Sequence, residues 1–267
     1  MDTRSVTRAW ALAAALAALP LAGACGGADH GGNGSNGSNG DGLRAAGAEP
    51  APSRGTRLVI TTDNGVRLRP ADGDRVVADR HIRTHWSHQD RTWVLDLSCR
   101  TDDKGKSDGD GDGRPCPRMP EVDIPAGTSV SVSARNAGID VAGVSAALEL
   151  ATVNGDVTVT RSGDGARAAR LTTRNGSIRA DTLRSAGLHA ETVNGDVVLG
   201  CATSPDRVTA ATTNGSVRVT VPHDSPAYRV RATTDNGRAS TDVRTSEAVH
   251  RTMTLSTVNG DVTAIRE

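Results

Sequence analysis

The chain has 267 residues, and its 31 Lys and Arg balance 31 Asp and Glu, so its formal net charge is zero. This balance argues against a nucleic-acid-binding protein that works through bulk positive charge. Phe is absent, and only three Trp and one Tyr occur, so few aromatic rings are present on which sugars or single-stranded nucleic acids could stack. The core must come from Val, Leu, Ile, Ala and Thr, a composition that suits strands.

The first 24 residues have the features of a signal peptide. Two arginines precede an apolar run that is short for a membrane span, and small residues follow. The sequence LAGAC ends on Cys25 and is similar to a bacterial lipoprotein signal, in which the cysteine carries lipid. We predict a lipid anchor at Cys25 on the extracytoplasmic face of the cell membrane, with ordinary secretion as the alternative. Residues 25–56, rich in Gly, Asn and Ser, are predicted to form a flexible tether.

The prediction of export also guides the interpretation of the remaining cysteines. Cys99 and Cys116 flank a polar loop, and an exported protein can form disulfides, so we predict that these two residues pair. Cys201 is then left over, and we interpret it as a small buried apolar residue.

The polar loop contains the beginning of a calcium-binding pattern. Asp108, Asp110 and Asp112 are followed by Gly113, and carboxylates at alternate positions can converge on one ion. The closing Glu is missing, because Met119 stands at the twelfth position of the pattern. Calcium binding is one hypothesis for the loop, and a solvated acidic loop closed by a disulfide is the alternative. The sequence predicts no other cofactor.

One short phrase recurs along the second half of the chain. The pair Asn-Gly returns at intervals of 19 to 23 residues, with an earlier copy at Asn64, and this spacing is typical of a repeat architecture. The repeated asparagines are Asn154, Asn175, Asn194, Asn214, Asn236 and Asn259. A Thr stands two places before each of them, at Thr152, Thr173, Thr192, Thr212, Thr234 and Thr257.

The spacing within each repeat predicts two strands joined by a turn. Alternate residues of a strand share a face, so the Thr and the apolar residue two places before it point the same way. Asn-Gly then turns the chain, because both residues tolerate positive φ. Two folds satisfy this pattern: an antiparallel meander of hairpins, and a β-solenoid in which equivalent residues of successive coils stack.

The residue after each Gly favours the solenoid. No two successive repeats carry Asp there, and stacked like charges would repel. Columns of Thr and Asn also suit stacking, because each side chain could hydrogen-bond to its twin in the next coil. We therefore predict an all-β, single-stranded β-solenoid with coils of about 20 residues over residues 129–267. Residues 57–128 would form an irregular N-terminal β cap with the polar loop. The last repeat would end the rod, with the charged ending IRE as the guard of its edge.

In this layout the chain resembles a bacterial family known as putative adhesins, a domain of unknown function with repeated T-x-N-G-D-V phrases. The resemblance covers residues 57–265, including LVITTDNGVRLRP, CPRMPEVDIPAGTSVSVSA and VRVTVPHDSPAYRVRATTDNG. It implies a β-solenoid that is exposed at the surface and adhesive, and it supplies no catalytic residues.

These observations predict a lipid-anchored binding or adhesin-like module without catalytic activity. Its expected partner is an envelope protein or polymer and not nucleic acid. Two alternatives stay open. The Asp column could belong to a carbohydrate-active β-helix enzyme, although paired catalysis needs carboxyls within about 5–10 Å. The acidic loop could instead make the chain a calcium-stabilised envelope protein. The oligomeric state does not follow from the sequence.

Overall fold

A computed structural model of the chain describes residues 55–79, 84–98 and 118–267. All regular structure in these residues is β, and they contain no helix that is long and apolar enough to cross a membrane. Twenty strands form two ten-stranded sheets, which we call the first and the second sheet.

The odd-numbered strands from β5 onward, together with β1 and β4, make the first sheet. In chain order these strands are β1 (Arg57–Thr62), β4 (His85–Gln89), β5 (Thr92–Asp96), β7 (Ser129–Ala134), β9 (Ala147–Ala151), β11 (Ala168–Thr172), β13 (Gly187–Glu191), β15 (Arg207–Ala211), β17 (Arg229–Asn236) and β19 (Thr252–Asn259).

The second sheet takes the remaining strands. They are β2 (Val66–Pro70), β3 (Val77–Ala78), β6 (Glu121–Ile124), β8 (Ile139–Ala142), β10 (Val157–Thr160), β12 (Ile178–Leu183), β14 (Val197–Cys201), β16 (Val217–Val221), β18 (Ala239–Asp242) and β20 (Val262–Arg266).

Neighbouring strands are parallel in both sheets, with two exceptions at one end: β3 is antiparallel to β6, and β4 is antiparallel to β5. Each repeat gives one strand to the first sheet, turns at Asn-Gly, and gives the next strand to the second sheet. Thr173 and Thr192 both lie on the buried side, as stacking of equivalent residues requires. The solenoid-like parallel arrangement predicted from the repeat is confirmed, and the antiparallel meander is wrong.

The core lies between the two sheets and consists of stacked aliphatic columns. One column on the first sheet is fully buried and pairs in register, residue over residue: Leu150, Leu171, Ala190, Ala210 and Leu255. The facing column on the second sheet is equally buried: Val157, Ile178, Val197, Val217 and Val262. Burial of each Val, Leu or Ile side chain in these columns contributes about 1.5–3 kcal/mol. The alternation of inward apolar residues and outward residues along each strand therefore builds the core.

The order of layers departs from the order of the sequence at both ends. Strands β1 and β2 lie between the layers of β5–β6 and β7–β8. At the other end, β19–β20 lie between β15–β16 and β17–β18, so the last strands of the sequence form an internal layer. The expectation that the ending IRE guards the edge of the rod is therefore wrong. The β17–β18 layer is the end layer instead.

The end layer carries its own partial cover. The backbone N–H of Tyr228 donates to the carbonyl of Arg244, and the N–H of Ser246 donates to the carbonyl of Tyr228. The N–H of the next residue, Arg229, donates toward the β19 side, to Arg251. Since successive residues of a strand direct their backbone groups to opposite sides, the segment 244–246 lies on the outer edge of the end layer. It shields the beginning of that edge from further strand pairing.

Candidate functional site

The repeated asparagines form a hydrogen-bonded ladder along the corner between the sheets. Each side-chain Nδ2 donates to the Oδ1 of the asparagine in the layer before it, as when Asn194 donates to Asn175 at 2.8 Å. The ladder follows the spatial order of layers and runs through Asn136, Asn154, Asn175, Asn194, Asn214, Asn259 and Asn236. Twin-to-twin bonding, which the sequence predicted, therefore holds for the asparagines.

The threonine column is bonded differently from the prediction. Each hydroxyl donates at 2.8 Å to a backbone carbonyl in the neighbouring layer, which in five of six cases belongs to the Gly of Asn-Gly. Thr192, for example, is buried and donates to Gly176. The expected Thr-to-Thr bond does not form because the glycine corner brings a carbonyl, which is the stronger acceptor, within reach of each hydroxyl.

At the position after each Gly, Asp and Ser alternate more regularly in the spatial order of layers than in the order of the sequence. In spatial order the residues are Asp156, Ser177, Asp196, Ser216, Asp261 and Arg238. Each Asp accepts a hydrogen bond from the backbone N–H of the next layer, at 2.7 to 2.8 Å, and each Ser hydroxyl accepts one at 3.2 to 3.3 Å. The alternation separates carboxylates by about 10 Å, two strand spacings.

This geometry gives the Asp column a role in the scaffold. Asp156 and Asp196 are separated by the Ser177 layer, and one oxygen of each is held by a backbone N–H. At about 10 Å they stand at the outer limit of the spacing that paired carboxyl catalysis uses. The column therefore offers no close acid–base pair among the described residues.

Several residues singled out in the sequence lie outside the described part of the chain. They are Cys25, Cys99, Cys116, Asp108, Asp110 and Asp112. The lipid anchor, the disulfide and the calcium hypothesis accordingly stay predictions. Within residues 55–79, 84–98 and 118–267, no cluster of three or more His, Cys, Asp or Glu is arranged to hold a metal ion.

Cys201 lies at the end of β14 and carries a free thiol. It is partly buried and packs against the core, close to its interpretation as a small apolar residue. Burial raises the pKa of the thiol to about 12, so the nucleophilic thiolate is scarce at neutral pH.

A trench crosses the outer face of the second sheet, and no motif in the sequence predicts it. Two adjoining depressions, of about 300 and 230 Å³, share Asp181, Gly200, Thr220 and Glu267 as lining residues. The sequence signal that could have revealed the trench is spacing. The inward residues of β12 are Ile178, Ala180 and Leu183, and the last gap is one residue longer than alternation allows.

Two other depressions line the surface. One, of about 230 Å³ on the first sheet, contains Glu149, which is held by Arg57 at 2.9 Å. The other, of about 440 Å³ beside β3, contains Asp72, Asp74 and Asp123. The pKa of Asp123 is raised by burial, with smaller contributions from the nearby carboxylates Glu121 and Asp72.

Comparisons with known proteins address the fold. No curated protein matches the chain. A solved structure of a "putative adhesin" from Bacteroides fragilis NCTC 9343 is 15% identical, with a TM-score of 0.42, and a "putative cell adhesion protein" from Clostridium sporogenes ATCC 15579 is 10% identical, with a TM-score of 0.35. Each alignment covers 81% of this chain and 94% of the other. The model of one family, described as Toastrack DUF4097, matches residues 123–264, more than half of the chain. The chain belongs to the Toastrack DUF4097 family.

Proposed function

We propose that this protein is a lipid-anchored, extracytoplasmic β-solenoid that binds a component of the cell envelope and performs no catalysis. Its coils of about 20 residues would form a stiff binding rod, with the irregular strands of residues 57–128 as the N-terminal cap. The Gly/Asn/Ser tether would hold the rod away from the membrane surface.

One observation carries the proposal: the repeated polar side chains are bonded within the scaffold. Thr hydroxyls go to backbone carbonyls, Asn side chains to one another, and Asp oxygens to backbone N–H groups. A polar group that is bonded in this way stiffens the rod and is poorly suited to act as an acid, base or nucleophile. The long outer faces of the two sheets are then the surfaces left for recognition.

The anchor is tested with the full chain in a bacterial host. The membrane fraction should retain the natural chain, whereas Cys25→Ala should move it to the soluble extracytoplasmic fraction, because the lipid supplies the membrane affinity. A tether substitution such as Ser35→Ala serves as the control and should leave fractionation unchanged. Membrane retention of Cys25→Ala equal to that of the natural chain would defeat the anchoring part of the proposal.

The binding activity is tested separately. The soluble Cys25→Ala chain should sediment with isolated cell envelopes in a saturable way, and an excess of unlabelled chain should displace it. The supernatant concentrations give an apparent Kd. A chain that stays in the supernatant at all envelope concentrations would contradict the proposed binding to the cell envelope.

A further inference from the structure

The trench on the second sheet crosses four strands in successive layers. Thr160 of β10, Asp181 of β12, Gly200 of β14 and Thr220 of β16 line it in that order, and Arg179 and Glu267 stand at its sides. Three strand spacings separate the first of these residues from the last, which gives a length of about 15 Å. The trench therefore has the dimensions of an extended binding groove for a chain that runs along the rod.

Gly200 leaves the middle of the trench open, although neither its φ nor the space around it requires glycine. Its φ is not in the left-handed region, and a Cβ there would make ordinary contacts, 3.5 Å from the carbonyl oxygen of Ala180 and 3.6 Å from Oδ1 of Asp181. Glycine inside a strand weakens it relative to other residues. A glycine inside a strand often marks a β-bulge or a place where a ligand approaches the backbone.

A β-bulge lies directly opposite this glycine. Ala180 pairs with Leu199 and Leu183 pairs with Cys201, so Asp181 and Thr182 together face the single residue Gly200. Thr182 has a φ of 55°, which is uncommon for a β-branched residue. Bulges of this kind re-aim side chains at the rims of binding sites. Here the bulge places the carboxylate of Asp181 beside the open floor of the trench.

The lining chemistry identifies the class of occupant. Carboxylates of Asp181 and Glu267 can accept hydrogen bonds from hydroxyl groups, and the Thr160 and Thr220 hydroxyls can both donate and accept. Arg179, the one cationic side chain among these lining residues, lies 3.9 Å from the carboxylate of Asp156. The carboxylates of Asp181 and Glu267 leave the trench with a net negative charge, which would repel a polyanion. A peptide strand would find no pairing edge, because the backbone groups of these four strands are already bonded to their neighbours in the sheet. We propose that the trench binds a neutral, hydroxyl-rich glycan strand, which it would hold through hydrogen bonds and not through ring stacking, since no aromatic side chain is among the lining residues.

This assignment rests on the proposed function, since it names the envelope component that the module recognises. The probes are hexasaccharides of β-linked glucose and of β-linked N-acetylglucosamine, titrated by calorimetry into the soluble full chain that carries Cys25→Ala. At least one of them should bind. Gly200→Val places an isopropyl group on the floor of the trench and should weaken binding by about tenfold or more.

A matched glycine provides the control. Gly187 lies in a strand on the outer face of the first sheet, and a Cβ there would make ordinary contacts, the nearest with the Cβ of Ala168 at 3.5 Å. Gly187→Val should therefore leave the affinity unchanged. Thr220→Val removes one hydroxyl at nearly constant shape and should weaken binding by about fivefold to tenfold. If circular dichroism shows that Gly200→Val is unfolded, the affinity of Thr220→Val tests the glycan site instead.

Two results would overturn the glycan assignment. One is the absence of heat and of chemical-shift change with both hexasaccharides at millimolar concentration. The other is a Gly200→Val or Thr220→Val chain that folds and binds as tightly as the parent. If the parent still sediments with cell envelopes in either case, the proposed function stands and only the glycan site is lost.

Discussion

At the scale of single residues, the corner threonines link one layer to the next. Thr192 is 2% exposed, and its hydroxyl donates at 2.8 Å to the carbonyl of Gly176. A buried carbonyl that loses its donor retains the cost of desolvation, about 1–3 kcal/mol. Five of the six repeat threonines donate to a corner glycine in this way, so the column contributes to stability layer by layer.

The substitution Thr192→Val tests this contact. It keeps the shape of the side chain but removes the donor to Gly176, so the free energy of unfolding should fall by about 1–3 kcal/mol. Thr192→Ser keeps the hydroxyl and should cost less, because only a methyl group is lost. Urea titration followed by circular dichroism measures both. Equal losses for Val and Ser would assign the effect to packing and contradict the hydrogen-bond account.

The thiol of Cys201 gives a second prediction at this scale. Its pKa is raised to about 12 by burial, whereas an unfolded thiol titrates near about 8.5. Iodoacetamide should therefore modify Cys201 roughly a thousandfold more slowly in the folded chain than in urea at pH 8. Peptide mapping by mass spectrometry measures the two rates.

The same shift has a consequence for stability. The folded state keeps the Cys201 proton to higher pH than the unfolded state does. This contribution is intact below about pH 8.5 and is lost as the pH rises toward 12. Cys201→Ala should remove that part of the alkaline loss. A folded-state modification rate close to the rate in urea would contradict the burial of the thiol.

At the scale of elements, the Asn-Gly corners bring backbones into contact. A Cβ on Gly195 would lie 2.2 Å from the carbonyl oxygen of Gly176, and the φ of Gly195 is +146°. Both the distance and the dihedral angle exclude an ordinary side chain. The glycine in the repeated phrase is thus required by stacking as well as by the turn.

Gly195→Ala should lower the free energy of unfolding by about 2 kcal/mol or more, because the layers must separate or the corner must distort. Gly187→Ala is the matched substitution, since its Cβ would have ordinary space, and it should change stability by less than about 1 kcal/mol. Thermal and urea unfolding compare the two variants. Comparable losses for both would mean that the corners do not limit the stacking.

The sequence predicts the repeated elements better than their order. Periodicity identifies the strands and turns because each repeat presents the same Thr, Asn and apolar columns. Because the columns are the same in every repeat, the sequence pattern does not distinguish the Asn259 repeat from the Asn236 repeat as the neighbour of the Asn214 repeat. In the end layer Ala239 holds the column position that Val262 holds in the neighbouring layer, and this difference alone does not determine the order.

The sequence does not predict the trench, for a related physical reason. The columns that repeat are those that hold the layers together, whereas Gly200 and the Asp181–Thr182 bulge interrupt the pattern at a single layer. Such exceptions leave no trace in the recurring pattern. In a repeat protein the departures from the repeat are therefore the positions where recognition is best sought.

At the scale of the whole molecule, the rod is completed by strands that come last in the sequence. Strand β17 pairs with β19 and not with β15, although β15 precedes it along the chain. The β17–β18 layer therefore has no partner until β19–β20 have paired with the β15–β16 layer. Contacts in a solenoid are largely between nearest layers, so this inserted layer couples the end of the rod to its body.

Ending the chain at His250 tests that coupling. The truncation removes β19 and β20, with the fully buried Met253, Leu255 and Val262, and leaves β17 without its ladder. Hydrogen exchange should then show loss of amide protection throughout residues 229–242, although that segment is still present. The free energy of unfolding should fall by about 5 kcal/mol or more, since several large buried side chains are lost at once.

The control for truncation keeps the full length and weakens only the end layer. Val230 is partly buried there, so Val230→Ala should cost about 1 kcal/mol and leave protection in β19 intact. Leu255→Ala, in the inserted layer, should cost about 2–5 kcal/mol and reduce protection in β17 as well. If layers followed sequence order, β19 would be in the end layer. Val230→Ala would then reduce protection in β19 and Leu255→Ala would leave β17 protected, and that pattern would refute the inserted-layer topology.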